Sequence, residues 1–253
     1  MNRPSVSDPS VRPTIAAALF DLYGTLVPRP DPEVRTHRRM TLAQMLGCDA
    51  ERFTRAFAEC RNERLLGTAG STPHMLRAVA RTAGGDVDNE ALRAAVSRVH
   101  EWTRDDVAIS PECQAVLGTL RTQGYRLGIV SDCERDLMEV LPGTALAGLV
   151  DAVTLSCATG IRKPARHQYT HCALQLEVPP EHCLYVGDGG SDELRGAQDV
   201  GALVIHFAKN DHNPFAAVGS WPGHTAQSFA DLRALIGRLT TPQARRDLHG
   251  SED

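Results

Sequence analysis

Aromatic side chains are scarce in this chain: Phe, Trp and Tyr together make up 5% of 253 residues. Few aromatic faces means little material for a surface that stacks nucleic-acid bases. An excess of positive charge is missing as well. Lys and Arg number 27 against 31 Asp and Glu, for a formal net charge of -4, so neither nucleic acid nor an anionic membrane is a favoured partner. No apolar stretch approaches the ~20 residues needed to cross a bilayer, and the opening MNRPSVSDPSVRPT lacks the apolar run of a secretory signal. The seven cysteines, at 48, 60, 113, 133, 157, 172 and 183, include no C-x-x-C pair. A structural zinc site or a disulfide framework is therefore disfavoured, and a soluble, cytoplasmic protein with reduced thiols is expected.

What remains is ordinary globular material, 42% hydrophobic and 23% charged. That is enough for one large domain, or for a core carrying an insertion, without covalent staples. Residues 1–13, rich in Ser and Pro, read as a disordered lead-in, and 241–253 as a loose tail. From Thr14 the chain runs Ile-Ala-Ala-Ala-Leu-Phe and is stopped by Asp21. A continuous apolar run of this length suits a strand buried on both faces. Similar runs start near Tyr125, Leu149, Cys183 and Ala202, with helix-like segments near 111–122, 134–141, 165–175 and 191–199 between them. Strands alternating with helices predict an α/β fold, a doubly wound, Rossmann-like parallel sheet.

Residues 31–106 differ, being rich in Arg, Ala, Leu and Glu with helical periodicity and no strand pattern. Leu42, Met45 and Leu46 share one helical face and Leu92, Val96 and Val99 another, while 67–72 and 84–88 read as turns. The expected organisation is a core of residues 14–30 and 107–240 with an all-helical insertion at 31–106.

In open α/β sheets ligands sit beyond the carboxyl ends of the strands. Four apolar runs lead to chemically useful residues there: Asp21-Leu-Tyr-Gly-Thr25, Ser131-Asp132, the loop Gly160-Ile-Arg-Lys163-Pro164, and Gly187-Asp188-Gly-Gly-Ser-Asp192-Glu193. Taken singly, each has a plainer reading as a strand-ending turn, a helix cap, a solvated loop or a tight turn. Their joint occurrence, in order, after separate buried strands is what the plain readings do not explain.

These segments resemble the four motifs of the haloacid dehalogenase superfamily, which includes many phosphatases. The resemblance covers roughly 14–27 and 109–240, and the helical insertion matches the position of that superfamily's C1-type cap. It implies that Asp21 is the nucleophile of a hydrolase acting on a small anionic metabolite, with Mg²⁺ as cofactor. A carboxylate attacking phosphorus splits one hard step into two, and Mg²⁺ offsets its repulsion from phosphate. By the same resemblance Asp21, Asp188 and the carbonyl of Tyr23 hold the metal, supported by Asp192 or Glu193. Lys163, Ser131 and Thr25 contact phosphate or nucleophile, and Gly24 and Asp132 line the substrate site. Arg61, in Cys60-Arg-Asn-Glu-Arg64, is the insertion's candidate for gripping a carboxylate or a second phosphate.

One position departs from the phosphatase pattern. The acid/base aspartate two residues after the nucleophile is replaced by Tyr23, and a phenol with pKa about 10 is a poor base at neutral pH. D-x-Y-G-T-L also resembles the 2-haloacid dehalogenases, whose aspartate attacks carbon without a metal. Gly187-Asp188 is the phosphatase-like form of the fourth motif, because a second carboxylate beside the nucleophile calls for a cation. Three expectations stand: a phosphatase, a haloacid dehalogenase, and a catalytically silent binding protein of the same fold.

Overall fold

The computed structural model describes residues 15–209 and 221–240; the expected lead-in and tail lie outside them. Six strands form one parallel sheet: β1 (Ala17–Phe20), β2 (Arg126–Ser131), β3 (Ala152–Leu155), β4 (Cys183–Gly187), β5 (Leu203–Phe207) and β6 (His224–Ala226), in the order β3-β2-β1-β4-β5-β6. β1 is central, with Ala17–Phe20 paired to Arg126–Ile129 on one side and to Cys183–Val186 on the other. Every residue of β1 is buried, which is why it reads as an uninterrupted apolar run rather than an alternating one. The chain leaves β1 toward β2 and β3, then returns to β1's other flank as β4. Asp21 thus follows the strand where the winding reverses, the place where α/β sheets bind ligands.

Five helices are inserted between β1 and the rest of the sheet: α1 (Pro32–Met45), α2 (Ala50–Glu59), α3 (Arg61–Leu65), α4 (Thr72–Thr82) and α5 (Asn89–Asp106). Their ends follow local chemistry. Asp31 caps α1 by accepting from the Glu33 N–H at 2.7 Å, with Pro32 in the first turn, and Asp88 caps α5 through the N–H groups of Glu90 and Ala91. These helices close over an apolar cluster of their own, centred on Leu42, Phe53, Leu76 and Ala95.

The remaining helices are α6 (Pro111–Thr122), α7 (Arg135–Val140), α8 (Ser156–Thr159), α9 (Arg166–Gln175), α10 (Glu193–Asp199) and α11 (Phe229–Thr240). They cover both faces of the sheet. α6 and α11 pack with Phe20, Leu127 and Ile205 on one face; α9 and α10 pack with Leu19, Val130 and Tyr185 on the other. No helix among the described residues is long and apolar enough to cross a membrane.

The insertion meets the core through polar bonds along α7 and to Glu134, which precedes it. Arg64 donates to both carboxylate oxygens of Glu134 at 2.8 and 3.0 Å, Thr103 donates to Asp136 at 2.5 Å, and Glu139 accepts from the Thr72 N–H at 3.2 Å and pairs with His100 at 2.8 Å.

Candidate active site

β1 ends in a tight turn. The Leu22 carbonyl accepts the N–H groups of Thr25, Leu26 and Val27, while the Gly24 N–H donates to the Val27 carbonyl at 2.7 Å. This turn holds Asp21 at the strand tip, 3% exposed. Gly24 has φ +99°, and a Cβ built there would lie 1.9 Å from Asp188 Oδ2. Glycine is thus required twice, for the left-handed backbone and for the close approach of Asp188.

Four strand ends and loops converge on Asp21. Thr25 Oγ1 donates to its Oδ2 at 3.1 Å, and Lys163 Nζ donates to its Oδ1 at 2.5 Å. The same ammonium donates to Glu193 Oε2 at 2.5 Å, so one buried cation bridges two buried carboxylates. Burial alone would lower the Lys163 pKa, but Asp21 and then Glu193 hold it well above its usual value. Glu193 is fully buried and its carboxyl is pushed up to about 8 by burial and by the Asp21 charge. It is further held by the Gly189 N–H at 3.0 Å and the Tyr185 hydroxyl at 2.8 Å, and its own carbonyl accepts from the Tyr169 hydroxyl at 2.9 Å.

Asp188 is met by a residue that sequence reasoning missed. Arg29 donates from Nε and Nη2 to its two oxygens, each at 3.0 Å, and the Gly190 N–H adds a third bond at 3.0 Å. Burial and the neighbouring Asp21 raise the Asp188 pKa, against the pull of Arg29. Nothing in the string Val27-Pro-Arg29-Pro signals that this arginine turns back onto the fourth motif. Ser131, at the end of β2, is 1% exposed and its Oγ has no hydrogen-bond partner among the described residues, a donor left for a ligand.

The structure corrects the assignments of Asp192 and Arg61. One oxygen from each of Asp21, Asp188 and Glu193 lies within 4.8 Å of the others, and Asp192 is not in that group. Asp192 precedes α10 with φ +54° and turns outward to within 3.9 Å of Arg195. The Glu193 side chain instead points back over the helix start, as helical side chains do. Arg61 is exposed on α3 and lines no part of the site, whereas its neighbour Arg64 is buried and carries the pairing to Glu134. Asp132 lines the same cavity as Asp21, where its two oxygens accept from the Lys163 N–H at 3.0 Å and from Arg162 Nε at 3.2 Å and so position the lysine loop. Tyr23 lines the cavity above Asp21, and burial followed by the charge of Asp136 raises its phenol well above the usual range. Its side chain is therefore not a base at neutral pH.

That cavity, about 280 Å³, lies between core and insertion; Asp21, Ser131 and Lys163 line it from the core, and Arg35, Leu42 and Trp102 from the insertion.

Comparison with known proteins places the fold in a family. A model of haloacid dehalogenase-like hydrolases matches residues 15–201. A glyceraldehyde 3-phosphate phosphatase of Methanopyrus kandleri is 24% identical over 200 residues, covering 78% of this chain and 86% of its own length. A ribulose-1,5-bisphosphate 5-phosphatase of Halopiger xanaduensis is 25% identical over 236 residues, covering 87% and 98%. Among solved structures, a 2-haloacid dehalogenase from Pseudomonas syringae superposes with TM-score 0.66 at 21% identity, over 89% of this chain and 99% of its own. A HAD phosphatase from Thermococcus onnurineus gives 0.60 at 22%, over 88% and 98%. Structural likenesses at this identity speak for the fold, not for the reaction. The matched region runs from before β1 to beyond α10, and this chain belongs to the haloacid dehalogenase-like hydrolase family.

Proposed function

We propose that the chain is a Mg²⁺-dependent phosphatase of a small phosphorylated compound, with the helical insertion 31–106 as its cap and Asp21 as nucleophile. The observation that carries this reading is Asp188 beside Asp21. A second buried carboxylate raises the electrostatic cost of a nucleophilic one unless a cation joins them, and carbon displacement without a metal gains nothing from it. The all-oxygen donor set of Asp21 and Asp188, with Glu193 behind them, fits a hard cation such as Mg²⁺. Asp21, Asp188 and the Tyr23 carbonyl would hold it, and it would supply charge neutralisation between carboxylate and phosphate. The names of the two phosphatase relatives support the same choice.

Within that reading each side chain has a task. Lys163 and Thr25 orient the Asp21 carboxylate for in-line attack, and Ser131 Oγ donates to a phosphoryl oxygen. The attack forms an Asp21–phosphorus bond as the ester oxygen leaves and takes up a proton from solvent; water then attacks the phosphorus, breaks that bond, gives up a proton and releases phosphate, restoring the carboxylate. Glu193 keeps Lys163 in place.

Arg29 favours a second reading. Its guanidinium already answers Asp188, so the pair is balanced without a metal, as a 2-haloacid dehalogenase would need. The two readings part in one experiment. Phosphate release from a panel of phosphomonoesters and halide release from 2-haloacids are each measured with Mg²⁺ and with EDTA. Phosphate release that requires Mg²⁺ and is abolished in Asp21→Asn is expected; halide release in EDTA would overturn the proposal. Tyr23→Asp is expected to raise phosphate release by about tenfold or more, since a general acid contributes ~10²–10⁴ in rate.

A further inference from the structure

Two of the cationic side chains that line the cavity have no acidic partner among the described residues. α1 presents Arg35, Arg38 and Arg39 to it. Arg38 is engaged by both oxygens of Asp106, at 2.5 and 2.9 Å. Of the other cavity acids, Glu134 is taken by Arg64, Asp136 by the Thr103 hydroxyl and Asp132 by Arg162 and the Lys163 N–H. Arg35 and Arg39 are different. They stand one turn apart on the same face of α1, both half-buried, and neither guanidinium forms a hydrogen bond or ion pair among the described residues. Arg39 lies over the Phe57 ring, 5.5 Å from its centre.

Two like charges four residues apart on a helix repel, and shielding them from water adds to the cost. Burial, with Arg64 and Arg35 nearby, lowers the Arg39 pKa. An anion between the two forks removes both penalties, and the planar guanidinium matches carboxylate and phosphate alike. The same cavity reaches Asp21, Ser131 and Lys163 on the core side. A compound whose phosphoryl group sits at Asp21 therefore extends toward these two arginines.

We propose that Arg35 and Arg39 form a subsite for a second anionic group, so that the substrate is a small phosphate ester that also carries a carboxylate or a second phosphate. This rests on the phosphatase reading and takes from Arg61 the role expected of it.

The test uses the full chain and three esters: glycerol phosphate without a second charge, phosphoglycerate with a carboxylate, and fructose bisphosphate with a second phosphate. The measured quantity is the ratio of kcat/KM for each doubly anionic ester to that for glycerol phosphate. In Arg35→Gln/Arg39→Gln at least one ratio should fall about 10- to 100-fold, the range of lost charge-assisted hydrogen bonds, chiefly through KM. Arg39→Lys should restore part of it for the bisphosphate, and which ratio falls identifies the anion. The single variants serve if the double one does not fold. Ratios that do not change would overturn the subsite. If no ester is hydrolysed, the phosphatase reading fails separately. Calorimetric binding of phosphoglycerate, fructose bisphosphate and glycerol phosphate to Asp21→Asn, with and without the arginines, then decides the subsite alone. An affinity advantage of a doubly anionic ester that disappears without the arginines supports it; no such advantage, or one the arginines do not affect, overturns it.

Discussion

Lys163 is the side chain whose loss should reveal most about how the site is balanced. It is 7% exposed and lies 2.5 Å from both Asp21 and Glu193. Lys163→Met keeps the volume and removes the ammonium that bridges two carboxylates that are 3% and 0% exposed. Breaking a buried pair from one side costs about 3–5 kcal/mol, because the partner charge is left unanswered. For a chain of this size that is a fall in Tm of roughly 6–20 °C. Glu193 can limit the loss by taking up a proton, as its raised pKa already favours. A carboxyl whose folded pKa is raised destabilises the fold as pH rises through it. The deficit should therefore be larger at about pH 8.5 than at about pH 6.

Adding Glu193→Gln should then rescue stability. The amide oxygen still accepts from the Gly189 N–H, its NH₂ can donate to the Tyr185 hydroxyl, and one of the two opposed charges is gone. The assay is urea unfolding in EDTA for wild type, both single variants and the double variant. Lys163→Met/Glu193→Gln is expected to recover half or more of the loss. A double variant as unstable as Lys163→Met, or more so, would refute the idea that unanswered charge is what costs.

Gly24→Ala should cripple the site without a large change in fold, since its Cβ would meet Asp188 Oδ2 at 1.9 Å and force that carboxylate away. Displacement on the 1 Å scale can cost ~10²-fold in rate, to be read as phosphate release beside an unchanged far-ultraviolet spectrum. Arg29→Gln removes the cation that competes for Asp188, so calorimetry should show Mg²⁺ binding several-fold tighter than wild type. Asp136→Asn addresses pH. Burial and the Glu134 charge raise the Asp136 carboxyl to about 6, so its neutral form stabilises the fold below the unfolded value near 4, and this is lost as pH rises through about 6. The variant should gain about 1–3 kcal/mol above pH ~7 and nothing near pH ~4, as measured by thermal melts across that range.

Much of this arrangement is legible in the amino-acid string. β1, β2, β4 and β5 carry continuous apolar runs because both faces of the sheet are covered, and the residues that follow β1, β2 and β4 converge with the Lys163 loop after β3. β6 is three residues long and preceded by no apolar run, so neither it nor α11 stands out. Asp192 and Glu193 are adjacent acids, and only the left-handed backbone at Asp192 separates an outward side chain from an inward one. Arg29 and Arg35 reach the site through tertiary placement of the segment after β1, which periodicity does not encode. Arg61 and Arg64 lie on the same short helix, and their rotation about its axis decides which one is buried.

The seam between insertion and sheet sets how a ligand reaches Asp21. The insertion encloses its own apolar cluster and rests on α7 through Arg64–Glu134, Thr103–Asp136 and His100–Glu139. Parting the two breaks a small number of polar contacts, the Ser156 hydroxyl to the Leu65 carbonyl among them, and leaves both apolar cores intact, so opening costs less than global unfolding. Where these contacts meet water, as His100–Glu139 does, dissolved salt screens them. Ionic strength therefore becomes a handle on the door itself: added salt should speed substrate entry and product exit while leaving the sheet beneath unchanged.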